Sequence, residues 1–335
     1  MKKNSFRNNL QNYINGGCLS ASDRLLYLFS TRMVFRKNGF IIGTDFKESK
    51  KNKSRSIESF TIKTNVYSGK NEFAIRLSRY LHENLRPYLA GAYVHGSIGT
   101  NEEIPYSDFD ALVILKDEVL NDPENLSVAA RLLNNARSIL FDMDPLQHHG
   151  WFVMTESDLQ NYPENYFPSV LFDHAKSFFA DRGLELKLSV DPLANDFHSP
   201  FKNLCNSIET KLIHHRPANL YTLKNLLSEF MLLPSFYVQA RDKKGIFKKF
   251  SFEEAKKDFT ESDWRIMDEV SMLRTAWETD IPVWKRKLIA SPRYFSVKLA
   301  KYISPAVPRN MKEKLHNGFF NTMLDFTKKI SSKIA

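Results

Sequence analysis

A chain of 335 residues with 42% hydrophobic content is long enough for about two globular cores. Its apolar runs, such as 111–115, fall far short of the ~20 residues of a membrane span, residues 1–12 lack the apolar stretch of an export signal, and Cys18 and Cys205 suit neither a disulfide framework nor a cysteine metal site, so a cytoplasmic protein is expected. The net charge of +10 is concentrated: residues 285–335 hold twelve Lys or Arg against Glu313 and Asp325, and Lys47, Lys50, Lys51, Lys53 and Arg55 cluster in a polar loop, patterns open to a polyanion-binding surface or to solvated faces.

Residues 20–35 have helical spacing and, with the basic loop, predict an N-terminal arm over 1–60. Between 71 and 85, Ala74, Leu77, Leu81 and Leu85 recur as on the apolar face of a helix. Tyr93 and Val94 open a short strand, a Gly96-Ser97 turn and a polar loop with Pro105 follow, and 109–115 is apolar on both faces, as in a strand inside a covered sheet. Asp122 and Pro123 read as the cap and first turn of a crossover helix through Val128, Leu132, Ala136, Ile139 and Leu140. Residues 148–154 predict the next strand and 170–179 the next helix. The expected fold is therefore α/β (α+β), a small mixed sheet backed by helices over 61–200. Helical spacing at 204–214, 220–230, 252–258 and 264–277 predicts a helical domain over 201–335. Its basic end carries Met311, Leu315, Phe319, Met323, Phe326 and Ile330 at steps of three or four, predicting one continuous apolar helix face.

The stretch 94–115, VHGSIGTNEEIPYSDFDALVIL, carries the chemistry. Alternate side chains of an extended strand share a face, so Asp108 and Asp110 converge while Phe109 turns away. Two neighbouring carboxylates at the edge of a core need positive charge, most simply a divalent cation, and Mg²⁺ suits a pair of hard oxygen ligands completed by substrate phosphates. Gly96 allows close backbone approach, and Ser97 with its backbone N–H groups can hold phosphate oxygens. Two Mg²⁺ ions on this platform would activate a hydroxyl and stabilise a pyrophosphate leaving group.

An apolar strand, Gly-Ser, a ten-residue gap and Asp-Phe-Asp running into Ala-Leu-Val-Ile-Leu closely resembles the signature of the polymerase-beta-like nucleotidyltransferase superfamily, directly over 92–115 and by element order over about 70–190. The resemblance implies a helical second domain closing over a nucleotide, and transfer of a nucleotidyl group from an NTP or dNTP to a hydroxyl with Mg²⁺ or Mn²⁺. By position it assigns Gly96 and Ser97 to the triphosphate and Asp108 and Asp110 to the metal. It also implies a third carboxylate on a later strand, where this chain reads DMDPLQHHGWFVM. Asp142 and Asp144 just precede that strand, Gln147 and His149 would share one of its faces, and His148 would take the other. One of these fills the role or it is empty; Asp144 and His149 are the catalytic candidates, His149 because a neutral imidazole can accept a proton or ligate a metal. Lys211 and Lys224 are candidates to reach the triphosphate from the helical domain, or are solvated positions.

These residues point to an Mg²⁺-dependent nucleotidyltransferase. The basic C-terminal segment favours an oligonucleotide or nucleic-acid acceptor or product, including antiphage signals among enzymes of this kind, over a cationic aminoglycoside. Modification of protein or RNA in the manner of toxin systems, an inactive member that binds nucleotide or a partner protein, and a glycosyltransferase are the alternatives. Neither the acceptor, the base preference nor the oligomeric state is readable from the chain.

Overall fold

The computed structural model describes residues 3–15, 57–192, 195–278, 281–290, 296–315 and 318–334. The helix expected at 20–35, the basic cluster at 47–55 and Cys18 lie outside the described residues. In chain order, α1 (Lys3–Ile14), β1 (Glu58–Lys63), β2 (Asn65–Val66), α2 (Glu72–Asn84), β3 (Leu89–Val94) and α3 (Gly96–Thr100) lead to β4 (Ala111–Leu115). Then come α4 (Asp117–Asn121), the long α5 (Pro123–Met143), β5 (Phe152–Thr155), α6 (Glu156–Leu159), β6 (Lys176–Ser177) and β7 (Glu185–Val190). Everything described beyond is helical: α7 (His198–His214), α8 (Leu220–Phe230), α9 (Leu233–Asp242), α10 (Lys248–Lys256), α11 (Glu261–Thr275), α12 (Val283–Ala290), α13 (Ser296–Ile303), α14 (Arg309–Lys314) and α15 (Phe319–Ser332). No helix among the described residues is long and apolar enough to cross a membrane.

The sheet is small and mixed, in the order β2-β6-β3-β4-β5, with β3 antiparallel to both neighbours and β4 parallel to β5. β4 is buried at all five positions, and its pleat divides them: Ala111, Val113 and Leu115 face a core shared with α2 and α5, while Leu112 and Ile114 face one built from Tyr93, Phe167, Phe172 and β7. That two-sided covering explains why the strand is apolar without alternation. The predicted helix cap is present, with Asp122 accepting from the amides of Glu124 and Asn125 ahead of α5. α1 packs Leu10 and Ile14 into the core beside α5.

Two expectations are corrected. Residues 170–179 do not form a helix: a 3₁₀ turn (Ser169–Asp173) follows Pro168, and the chain then extends as β6 to pair Ser177 with Tyr93. Phe172, Ala175, Phe178 and Phe179 are all buried, but the 3₁₀ turn and then β6, an inner strand between β2 and β3, claim the backbone of this run. The apolar face expected from Met311 to Ile330 is not one helix. α14 ends at Lys314, capped by a non-helical Leu315, and α15 starts afresh after Gly318, whose φ of +98° is not helical. Phe319, Met323, Phe326 and Ile330 still dock on the helical core.

Candidate active site

Asp108 and Asp110 precede β4 in a run whose backbone bonding continues on the β3 side and is replaced by a side chain on the β5 side. The His95 amide donates to Asp110 O at 3.0 Å. On the other side the fully buried amide of Gln147 pairs with the backbone of Phe109, accepting from its N–H at 2.9 Å and donating to its carbonyl at 3.2 Å. Gln147 thus does for Phe109 what an adjacent strand would do. Phe109 is driven into the core, and both aspartates point to the opposite side, onto one wall of a cavity of about 730 Å³. Gly96 has φ +64°, and a Cβ there would lie 2.4 Å from Asp110 Oδ2, so only glycine permits this turn beside the carboxylate. Ser97 lines the same wall.

Positive charge already surrounds the pair. His149 Nε2 lies 3.3 Å from Asp110 Oδ1 and 3.7 Å from Asp108 Oδ2. Burial opposes charge on this imidazole, but contact with both carboxylates outweighs it and holds the pKa well above the usual histidine value. On the far side of Asp108 lies Lys224, only 1% exposed, with Nζ 2.8 Å from Asp108 Oδ1 and 2.7 Å from Asp144 Oδ2. The lysine donates to Asp144, but its approach to Asp108 Oδ1 is too oblique for a hydrogen bond, and that buried oxygen has none. Burial would raise both acids; Lys224 and His149 overcome this for Asp108, which is held well below the carboxylate range, while Asp144, beside the charged Asp108, stays raised. His148 is pushed down to about 4 by burial and is neutral.

The opposite wall comes from the helical part. The turn around Gly245 exposes residues 242–244 to solvent, and the residues after it, Ile246, Phe247, Lys248 and Lys249, line the cavity. Lys249 is paired with Glu102 at 2.6 Å, whereas Lys248 has its pKa lowered to about 8, by burial first and then by Arg274. Arg274 stacks over Tyr106 at 4.6 Å, and its Nε is buried without a hydrogen-bond partner. Lys248 belongs to the basic stretch 241–250, which reads from the sequence as a turn facing either the cleft or water, whereas Arg274 was not anticipated. Of the two lysines that were, Lys211 is taken up by Asn225 at 2.7 Å and Glu229 at 2.5 Å and does not line the cavity, and Lys224 lies beneath the carboxylates. Asp142 pairs with Arg76 at 2.5 Å, away from the cavity. His95, also unanticipated, is buried against Phe167 with Nε2 unpartnered.

Among the described residues no three or more acidic, histidine or cysteine side chains form a ready metal cage. Asp108 and Asp110 nevertheless fit a hard divalent ion that relies on substrate phosphates for its other ligands, since both are carboxylates on one wall of the cavity and each keeps an oxygen that Lys224 does not engage. No family model and no curated protein matches the chain. Among solved structures it is similar to a spectinomycin adenyltransferase from Enterococcus faecialis with ATP and spectinomycin, at 12% identity over 78% of this chain and 100% of that one, with a TM-score of 0.37. A likeness so distant leaves the reading of the site to its own residues.

Proposed function

We propose that this chain is a polymerase-beta-like nucleotidyltransferase that moves a nucleoside monophosphate from an NTP or dNTP to a hydroxyl and releases pyrophosphate. The observation that carries the reading is the pairing of walls. Asp108 and Asp110 converge beside the left-handed turn at Gly96 on one side of the cavity, and the cations Lys248 and Arg274 stand on the other. Carboxylates facing cations across an enclosed space suit a triphosphate that arrives with a divalent ion. Asp108 and Asp110 would hold Mg²⁺ or Mn²⁺, which when bound supplies charge to offset that developing on the transferred phosphoryl group. Gly96 and Ser97 let phosphate oxygens approach the backbone, and Lys248 and Arg274 bind the outgoing pyrophosphate. His149, at 3.3 Å from Asp110, is the group placed to take the acceptor's proton once its own has left.

The acceptor we infer is an oligonucleotide or nucleic-acid hydroxyl, in keeping with a signalling product of antiphage type. Among the described residues the cavity's carboxylates are Asp108 and Asp110, which the metal would engage, and Glu102, which already faces Lys249; a polycationic aminoglycoside would need further acids. The test is incubation of the pure protein with each labelled NTP and dNTP plus Mg²⁺ or Mn²⁺, with and without oligonucleotide. Metal-dependent pyrophosphate release that is lost in Asp110→Asn is expected. Absence of release with every nucleotide and acceptor class would overturn the proposal.

A further inference from the structure

The deepest charged group of the site has no place in the scheme above. Lys224 enters from α8 and is held along its length: the hydroxyl of Tyr106 donates to the Lys224 carbonyl at 2.7 Å and meets Ser228 Oγ at 2.8 Å, and Nζ lies 4.7 Å from the centre of the Tyr106 ring. A lysine this buried persists only when carboxylates surround it, and Asp108 and Asp144 do so at 2.8 and 2.7 Å. Asp144 has no oxygen to spare, since Oδ2 accepts from Lys224 and Oδ1 accepts from the Leu146 amide at 3.1 Å. Asp108 likewise presents Oδ1 to the lysine and only Oδ2 toward His149.

We propose that Lys224 is a resident cation standing where a second divalent ion would otherwise be held, so that the site takes a single metal ion. The inference rests on the nucleotidyltransferase reading of the same carboxylates. A two-ion clamp needs a carboxylate set wide enough to neutralise both ions. Here at most three carboxylates, Asp108, Asp110 and Asp144, come together; the buried ammonium stands against Asp108 and Asp144 and His149 against Asp108 and Asp110, which leaves no set wide enough to neutralise two divalent ions. The ammonium lies between the third acid and the first aspartate, where an ion bridging them would sit, and it cannot leave, because it is covalently part of α8. Lys224 is therefore a positioning residue: it fixes the rotamer of Asp108 and directs the remaining carboxylate oxygens to one ion. It also accounts for an acid, Asp144, that lies near the pair yet does not line the cavity.

The experiment counts Mn²⁺ bound to the full chain saturated with a non-hydrolysable NTP analogue, by equilibrium dialysis, and records the Mn²⁺ electron paramagnetic resonance spectrum. One ion per bound nucleotide with an isolated-ion spectrum is expected for the native chain and for K224R, which keeps the charge. K224M should bind two, with the exchange-coupled signature of ions roughly 3.5–4 Å apart. Two coupled ions in the native chain would overturn the inference, as would a folded K224M that still binds one; should K224M fail to fold, the native count decides. If neither nucleotide nor Mn²⁺ binds the native chain, the nucleotidyltransferase reading itself falls, an outcome distinct from a count of two.

Discussion

Gly96 resists substitution for two independent reasons. Its φ of +64° strains any side chain, and a Cβ would press on Asp110 Oδ2. Gly96→Ala should cost roughly 1–3 kcal/mol of stability and reduce transfer more than thousandfold, read by thermal melting and pyrophosphate release. His149 sets a pH signature. Its native pKa lies well above the unfolded 6.5, so its contribution is complete below 6.5 and is lost as pH rises through the native value. In metal-free buffer the melting temperature should therefore fall from pH 6.5 upward, and the difference between the native chain and His149→Gln should shrink over that range. A difference that widened with pH would refute the ion pair. The two aspartates and the Gly-Ser turn were legible because their pattern is local: period-two alternation and a fixed gap. Lys224 was legible in kind but not in place. It shares the buried stripe of Leu220, Leu223 and Leu227, and a lysine on an apolar face is the signal that separates a buried cation from a solvated one. Lys248 and Arg274 offered no such sign, since only folding brings them opposite acids more than a hundred residues earlier.

At the scale of elements, apolar spacing identified α2, where one face is buried, and also α8, which is covered almost all round, and failed where the same residues serve two structures. The run at 170–179 is apolar at helical steps because a 3₁₀ turn and the inner strand β6 both contribute buried side chains. β7 shows the reverse: ELKLSV alternates cleanly, with Leu186, Leu188 and Val190 buried, so its strand was written in the sequence and passed unread. α15 revises what the basic C-terminus can be asked. Phe326 packs against Phe230, Phe259 and Trp264, so removing the segment would open the helical core along with the charge. Phe326→Ala should cost roughly 3–5 kcal/mol, measured by denaturant unfolding. Thr327 is buried and donates to the Met323 carbonyl at 2.8 Å, so its hydroxyl too belongs to the helical core. A test of nucleic-acid contact should instead reverse the exposed Lys312 and Lys314, which leaves the core intact.

For the whole molecule, the two walls of the cavity belong to different halves of the chain, so nucleotide binding reports on how they meet. Lys248→Met and Arg274→Met should each weaken nucleotide affinity by about tenfold or more in calorimetry, with the melting profile little changed, because each removes a charge-assisted contact and not a structural pair. With Lys248 titrating near 8 in the free protein, affinity should decline as pH passes that value, and K248R should abolish the decline. Unaltered affinity in both methionine variants would place the triphosphate elsewhere.

The bond between Gln147 and Phe109 has a consequence for the shape of the entrance. β4 and β5 are paired from Leu112 and Phe152 onward, but three positions earlier the place of a neighbouring backbone is taken by one side-chain amide. A ladder that continued would carry residues 148 and 149 along the sheet. Because it stops, His148 and His149 are free to turn into the cavity, and the aspartates look out through the gap. The doorway to the reactive end of this protein is an unfinished seam in its sheet, closed with a single stitch.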